Sequence, residues 1–128
     1  MTTADLAFIE TAQGVTLPAA YRAAMLAYPL NPADLNSQIA LQDDARAVVA
    51  FNRYLRSEFP GDWKPGYFAV GNSPNGDPYF LDFNAGSSAM WLWDHETHEV
   101  RQAAPDLVSW VAMPVSYTHL TLPTILRV

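Results

Sequence analysis

The stretch Ala69–Phe83, AVGNSPNGDPYFLDF, places a run of turn-forming residues between two apolar runs. Asn75 and Gly76 form a favoured pair for a tight hairpin turn, because both residues tolerate positive φ. Pro78 keeps the residue before it extended. We therefore predict two antiparallel strands joined by a short turn. In the second strand Tyr79, Leu81 and Phe83 face one side of the sheet, and Phe80 and Asp82 face the other.

The same glycines raise the question of a phosphate-binding loop. Such a loop requires G-x-x-x-x-G-K-[ST], in which the lysine reaches the terminal phosphates. Gly71 and Gly76 have that spacing, but Asp77 stands in place of the lysine, and its carboxylate would repel a phosphate. The sequence therefore disfavours nucleotide binding. We interpret Gly71 as the point where the chain leaves the strand.

The segment DHETHE, Asp94–Glu99, contains two histidines and three acids that could be metal ligands. A zinc protease requires H-E-x-x-H on a helix, whereas this segment reads H-E-x-H between two strands. The pattern favours a solvated turn and leaves a weak transition-metal contact open. The corresponding hypothesis is a small metal-dependent hydrolase, which requires five side chains to converge around a cavity. These are Asp77, Asp82, Asp94, His95 and His98.

Helical patterns precede the turn-forming stretch. Gly14 is placed to end a first helix, and Pro18 suits the first turn of a second. The clearest helix spans residues 42–59, where Asp43 and Asp44 lie at the start and are favoured by the helix dipole. Its apolar face, at helical spacing, consists of Val48, Phe51, Leu55 and Phe59.

Four short runs, YFAV, YFLDF, AMWLW and EVRQA, are rich in aromatic and β-branched residues and are typical of strands. Short connections predict antiparallel neighbours, and AMWLW is apolar on both faces, as in a central strand. PDLVSWVA predicts a short closing helix. The sequence thus predicts an α+β fold, in which N-terminal helices pack on one face of a mostly antiparallel sheet of about four or more strands, followed by a short C-terminal helix.

Composition limits the classes of function. The chain has 128 residues, half of them hydrophobic and 16% charged, which suits one folded domain. It has no cysteine, which excludes disulfides and thiolate chemistry and fits the cytoplasm. Its net charge is −6, and residues 61–100 contain six acids against Lys64 alone. This balance disfavours nucleic-acid binding. It fits either a solvated acidic surface or a face that attracts a basic partner. The N-terminus predicts neither a signal peptide nor a membrane span.

These motifs, in this order and at this spacing, resemble the SUKH superfamily, which includes the yeast cell-wall-assembly regulator domain and many bacterial immunity proteins. The family pattern starts with leucine-proline and an aromatic residue before a helix. An IG-x-x-x-x-GD-x-x-x-x-D core follows, and a hydrophobic strand then ends near DH. The matching residues are Leu17, Pro18 and Tyr21, then Gly71, Gly76, Asp77 and Asp82, then Asp94 and His95.

The resemblance implies a domain without catalytic residues, metal or cofactor. Bacterial members typically neutralise a cognate toxin by binding it directly, and many such toxins are basic nucleases. An acidic inhibitor suits such a partner, because opposite fields speed their encounter. A regulatory or scaffold domain of the same fold is the alternative. The candidate partner-binding residues are five of the six acids of the 61–100 segment and one aromatic anchor, namely Asp62, Trp63, Asp77, Asp94, Glu96 and Glu99.

The last residues of the chain raise a separate question. Val115–Thr124 resembles the in-frame translation of a sequencing-library adapter. We therefore predict that the domain comprises residues 1–114 and that residues 115–128 are a non-native tail. His119 and Arg127 are accordingly left out of the candidate site.

Overall fold

The structure is a computed structural model, and it describes residues 1–28, 40–85 and 88–111. The predicted tail, residues 115–128, lies outside these ranges. Within them, none of the helices is long and apolar enough to cross a bilayer. The elements of the described ranges are α1 Thr3–Gln13, α2 Ala19–Ala27, α3 Ala45–Glu58, β1 Tyr67–Asn72, β2 Pro78–Asp82, β3 Met90–Trp93, β4 Val100–Ala104 and α4 Leu107–Val111. This order confirms the predicted α+β fold.

Local capping explains where the N-terminal helix begins and ends. Thr2 and Asp5 form a capping box, in which the Asp5 backbone N–H donates to the Thr2 hydroxyl at 3.1 Å and the Thr2 N–H donates to the Asp5 carboxylate at 2.8 Å. Gly14 ends α1 in the left-handed conformation with φ 66°. Leu6 and Ile9, one turn apart, are then buried on the same face. The predicted end at Gly14 is confirmed.

The predicted long helix is also confirmed. Asp44 is the N-cap of α3, and its carboxylate accepts a hydrogen bond from the Arg46 N–H at 3.0 Å. Val48 and Leu55 are buried. Phe51 and Phe59 are partly buried and pack against the cluster that contains Leu55.

The four strands of the described ranges form an antiparallel sheet in the order β1-β2-β3-β4. Each strand pairs with the next along the chain, because the connections are hairpins. β3 is therefore an interior strand, as its two apolar faces predict.

Helices α1, α2 and α4 and the first half of α3 pack on one face of the sheet. This helix-side core includes Leu6, Ile9, Tyr21 and Met25 from the helices. The strands contribute alternate residues to it, which are Phe68, Val70, Leu81 and Met90.

The opposite face of the sheet is covered as well, by a second buried cluster. The residues between those of the helix-side core form an aromatic layer with α3 and the loop that follows it. Because that loop folds across the sheet, Trp63 packs edge-to-face against Phe80 and Trp93, with ring centroids 5.1 and 6.1 Å apart. The buried members of the aromatic layer are Leu55, Trp63, Ala69, Phe80 and Trp93.

The outer edge of β1 is hydrogen-bonded, although within the described ranges no named strand pairs with it. The Asn52 amide is fully buried and donates to the Ala69 carbonyl at 3.0 Å, while its oxygen accepts from the Ala69 N–H at 2.8 Å. The next carbonyl, of the bulged residue Val70, accepts from the Gln42 N–H at 3.0 Å. One buried side chain and one preceding segment thus satisfy an edge that would otherwise be open.

The β1–β2 turn is centred one residue earlier than predicted. The Gly76 N–H donates to the Ser73 carbonyl at 2.9 Å, so Pro74 and Asn75 are the central pair. Gly76 follows them with φ 91°, and Asn75 has no positive φ. The expected Asn75-Gly76 centre is therefore wrong. Pro74 decides the geometry, because its fixed φ suits the first central position of such a turn.

We expect Gly76→Ala to destabilise the protein by about 1 kcal/mol, since a β-carbon is disfavoured at this left-handed position. Gly76→Asn is the matched control and should cost less, because asparagine tolerates the conformation. Urea unfolding followed by tryptophan fluorescence measures both. Equal stability of Gly76→Ala and the wild type would contradict this role for the positive φ.

Candidate functional site

Two hairpin loops lie at one end of the sheet. Strand β2 begins at Pro78, directly after the first turn, and Tyr79 pairs with Leu92 near the end of β3. Trp93 pairs with Val100 across the second hairpin. This antiparallel register places the β1–β2 turn beside the β3–β4 hairpin, Asp94–Glu99, which we call the acidic hairpin.

Asp77 and His95, which belong to separate family motifs, are joined at this end. The Asp77 Oδ1 accepts a hydrogen bond from the His95 backbone N–H at 3.1 Å and also contacts the His95 ring Nδ1. This hydrogen bond from the ring to Asp77 raises the pKa of His95 above its ordinary value. Asp77 is 7% exposed, so its carboxylate links the two hairpins and presents little surface to a partner. This corrects its assignment as an exposed contact residue.

Asp94 shapes the acidic hairpin from within. Its carboxylate accepts hydrogen bonds from the backbone N–H groups of Thr97, at 3.1 Å, and Glu96, at 2.8 Å. These two bonds lower the pKa of Asp94 below its ordinary value. The hairpin then closes through a left-handed residue, His98, with φ 62°. Asp94 is therefore a turn-forming residue of the loop as well as part of its charge.

His98 connects the acidic hairpin to the loop between α3 and β1. Its ring Nδ1 lies 2.9 Å from the Asp62 Oδ2. The ring centroid lies 5.0 Å from that of Trp93 and 5.6 Å from that of Phe59. No local sequence pattern indicates the His98–Asp62 contact, because 36 positions separate the two residues.

Trp63 does not lie on this surface. It is 2% exposed and packs within the aromatic layer, so the expectation of Trp63 as an interface anchor is corrected. The tryptophan was misassigned because its sequence neighbours are polar and turn-forming. Its burial depends on the loop folding across the sheet, and that fold-back has no local signature.

Most of the remaining family-motif residues support the fold. Leu17 and Tyr21 lie in the helix-side core, and burial strongly raises the pKa of the Tyr21 hydroxyl. Pro18 precedes the first residue of α2. Gly71 lies within β1, not at its exit as predicted, and a β-carbon there would lie 1.8 Å from the Ala40 carbonyl oxygen. Gly71 is thus required for close backbone approach.

Asp82 lies at the far end of β2 from Asp77. Five residues of strand separate the two carboxylates by about 16 Å. The Asp82 carboxylate accepts from the Asn84 N–H at 3.0 Å, where it shapes the turn after β2. Asp82 is therefore separated from the other four residues of the hydrolase hypothesis, which lie at the hairpin loops.

That hypothesis required convergence, and the structure contradicts it. Asp82 is remote from the other four residues, and His95 and His98 contact different carboxylates. Across the described ranges, no group of three or more histidine, aspartate or glutamate side chains is placed to hold a metal ion. A cleft of 510 Å³ lies at the opposite end of the sheet, between the start of α2, the end of β2 and α4. Of the candidate residues, Pro18 and Asp82 line it.

The acids that remain accessible at the hairpin end are Asp62, Glu96 and Glu99, with Asp94 half-buried beside them. The Asp62 side chain is 46% exposed, even in its contact with His98. The Asp62 and Asp94 carboxylates are held by hydrogen bonds, so these two negative charges have a defined position. This geometry suits recognition of a positively charged surface.

A comparison with protein families gives one further finding. The model of the SMI1 / KNR4 family (SUKH-1) matches residues 1–113. The chain belongs to the SMI1/KNR4 family. This membership confirms the SUKH resemblance that the sequence motifs indicated. Neither a curated protein nor a solved structure gives a match. In this SMI1/KNR4-family domain, the Asp77–His95 contact joins two motifs that are distant in the sequence.

Proposed function

We propose that this SMI1/KNR4-family domain is a non-enzymatic, cytoplasmic immunity protein that binds and neutralises a cognate bacterial toxin. The observation that carries the proposal is the group of acids at the hairpin end, Asp62, Asp94, Glu96 and Glu99. Turn hydrogen bonds and the His98 contact hold part of this group in place. A preorganised acidic surface loses less conformational entropy when it binds.

The proposed partner is a basic toxin, such as a nuclease. Its cationic surface would be attracted to the acidic hairpin before contact, and this raises the association rate. Binding over a toxin's substrate site would block access of its polyanionic substrate. No catalytic step by this chain is needed, because occupancy of the toxin is sufficient.

The direct test is co-expression with the product of the adjacent toxin gene. We expect growth protection and a stable complex of the two purified proteins. If the neighbour is no toxin and co-expression gives no protection, the immunity proposal is wrong. A complex with a non-toxic neighbour would instead support a regulatory or scaffold domain of the same fold.

Charge reversal tests the surface separately from the function. Glu96→Lys should slow toxin association about fivefold to tenfold at low ionic strength and weaken its dependence on salt. Asp43→Lys makes the same change in charge at an exposed position before α3, beside the β1 edge and outside the acidic hairpin. Association rates measured by surface plasmon resonance should change little for this control. If both variants protect against the toxin and associate with it at equal rates, the proposed immunity function stands, but the acidic hairpin is not the binding surface.

A further inference from the structure

The acidic hairpin carries two histidines that contact different neighbouring segments. His95 contacts Asp77 of the β1–β2 turn, and His98 contacts Asp62 of the loop after α3. The hairpin is therefore attached at two points, one on each side. Both points use the same chemistry, a ring Nδ1 against a carboxylate oxygen.

The protonation of these rings decides the strength of both contacts. A carboxylate can only accept, so Nδ1 must carry a proton in each pair. When the ring is protonated, the hydrogen bond is assisted by charge. When the ring is neutral, the charge assistance is lost and the Nε2 tautomer, which cannot make the contact, becomes accessible.

The charged groups around both rings are mainly acidic. His95 faces Asp77 from the β1–β2 turn and Glu96 and Asp94 from its own hairpin. Around His98 are Asp62 and the adjacent Glu99, while the nearest cations along these segments are Lys64 and Arg101. Arg101 also interacts with Asp94. The carboxylates around His95 favour the protonated form of its ring.

We propose that His95 and His98 clasp the acidic hairpin to its two neighbouring segments and that the His95 contact makes this clasp pH-dependent, because it holds when the His95 ring is protonated and loosens when that ring becomes neutral. The device belongs to the chain alone and does not depend on the proposed toxin. Acidification tightens the hairpin and at the same time lowers its negative charge. The clasp thus couples the order of this surface to the pH range of histidine.

The direction follows from the His95–Asp77 pair. Contact with Asp77 raises the pKa of His95 above the ordinary value of 6.5. The contribution of this pair to stability is therefore fully present below pH 6.5 and is lost as the pH rises through the raised value. The hairpin should be most ordered on the acidic side of neutrality.

Two backbone bonds report on the order of the hairpin. The Asp94 N–H donates to the Glu99 carbonyl at 2.8 Å, and the His98 N–H donates to the Asp94 carbonyl at 2.7 Å. Amide hydrogen exchange by NMR, corrected for the intrinsic effect of pH, gives their protection between about pH 5.5 and about pH 8.5. We expect protection to fall about twofold to fivefold over this range as the His95–Asp77 contact weakens. Ring ¹⁵N shifts should show the Nδ1-protonated form for both histidines.

Variants separate the clasp from general stability. His95→Gln cannot titrate and should remove the pH dependence, whereas His98→Gln should lower the protection without removing the pH dependence. The double variant should show no pH dependence. Protection of the β1 amides shows whether each variant is folded. If the double variant does not fold, Asp77→Asn keeps the side-chain shape and should lower the titration midpoint of His95.

Flat protection in the wild type would overturn the clasp. It would also be overturned by pH dependence that persists in the double variant, or by an unchanged His95 midpoint in Asp77→Asn. None of these results bears on toxin binding, since no partner is present in the experiment.

Discussion

The Asn52→Ala variant is expected to lose about 3–5 kcal/mol of unfolding free energy, the largest effect that we predict. The Asn52 amide makes hydrogen bonds to the Val48 carbonyl and to both backbone groups of Ala69. Its removal leaves the Ala69 N–H and carbonyl without these partners inside the protein. Each buried unsatisfied group costs about 1–3 kcal/mol. Urea unfolding monitored by tryptophan fluorescence and by circular dichroism gives the change.

Two further variants separate hydrogen bonding from packing at this position. Asn52→Leu keeps a similar volume and should also be strongly destabilised, because it leaves the same groups unsatisfied. Asn72→Ala removes an exposed asparagine at the end of β1 and should change stability by less than about 0.5 kcal/mol. Wild-type stability of Asn52→Leu would show that the amide does not hold the edge of β1.

Gly71→Ala is expected to destabilise the protein by about 3 kcal/mol. A β-carbon at this position would lie 1.8 Å from the Ala40 carbonyl oxygen and 3.0 Å from the Leu41 Cα. These atoms are backbone, so they cannot move away by a change of rotamer. The isolated bridge between Leu41 and Gly71 would have to open, and the cover on the β1 edge would be lost with it.

Gly61→Ala provides the matched control for this prediction. A β-carbon at Gly61 meets no atom within 4 Å, so stability should stay within about 0.5 kcal/mol of the wild type. Chemical denaturation of the two alanine variants side by side measures the difference. A loss below about 1 kcal/mol in Gly71→Ala would mean that the segment before α3 adapts without cost.

Several features of the site were within reach of sequence reasoning because they depend on neighbours along the chain. The strand order follows from short connections, and the ends of α1 follow from Thr2 and Gly14. The motif residues Asp77 and His95 were identified before their contact was known. Asn52 was missed, although a polar residue between Val48 and Leu55 on an apolar helical face was a signal that such a side chain has a buried partner.

The burial of individual side chains could not be predicted in the same way. Trp63 and Asp77 were expected at the surface, since both stand among turn-forming residues, and both are buried. The loop after α3 folds across the sheet because Trp63 can join Phe80 and Trp93 there. Nothing in the loop's own sequence specifies that direction, because the stabilising contacts are made with strands that come later in the chain.

By itself, the sequence determined the α+β class, the helix ends and the antiparallel strand order, because capping, periodicity and short turns act over a few residues. The family followed from the order of its motifs. Only the tertiary structure decided that Asn52 completes the edge of β1 and that Asp62 and Asp77 hold the acidic hairpin on two sides. Those contacts join residues 17 to 36 positions apart. Their geometry exists only after the sheet and the aromatic layer have packed, since packing brings distant polar groups within hydrogen-bonding distance.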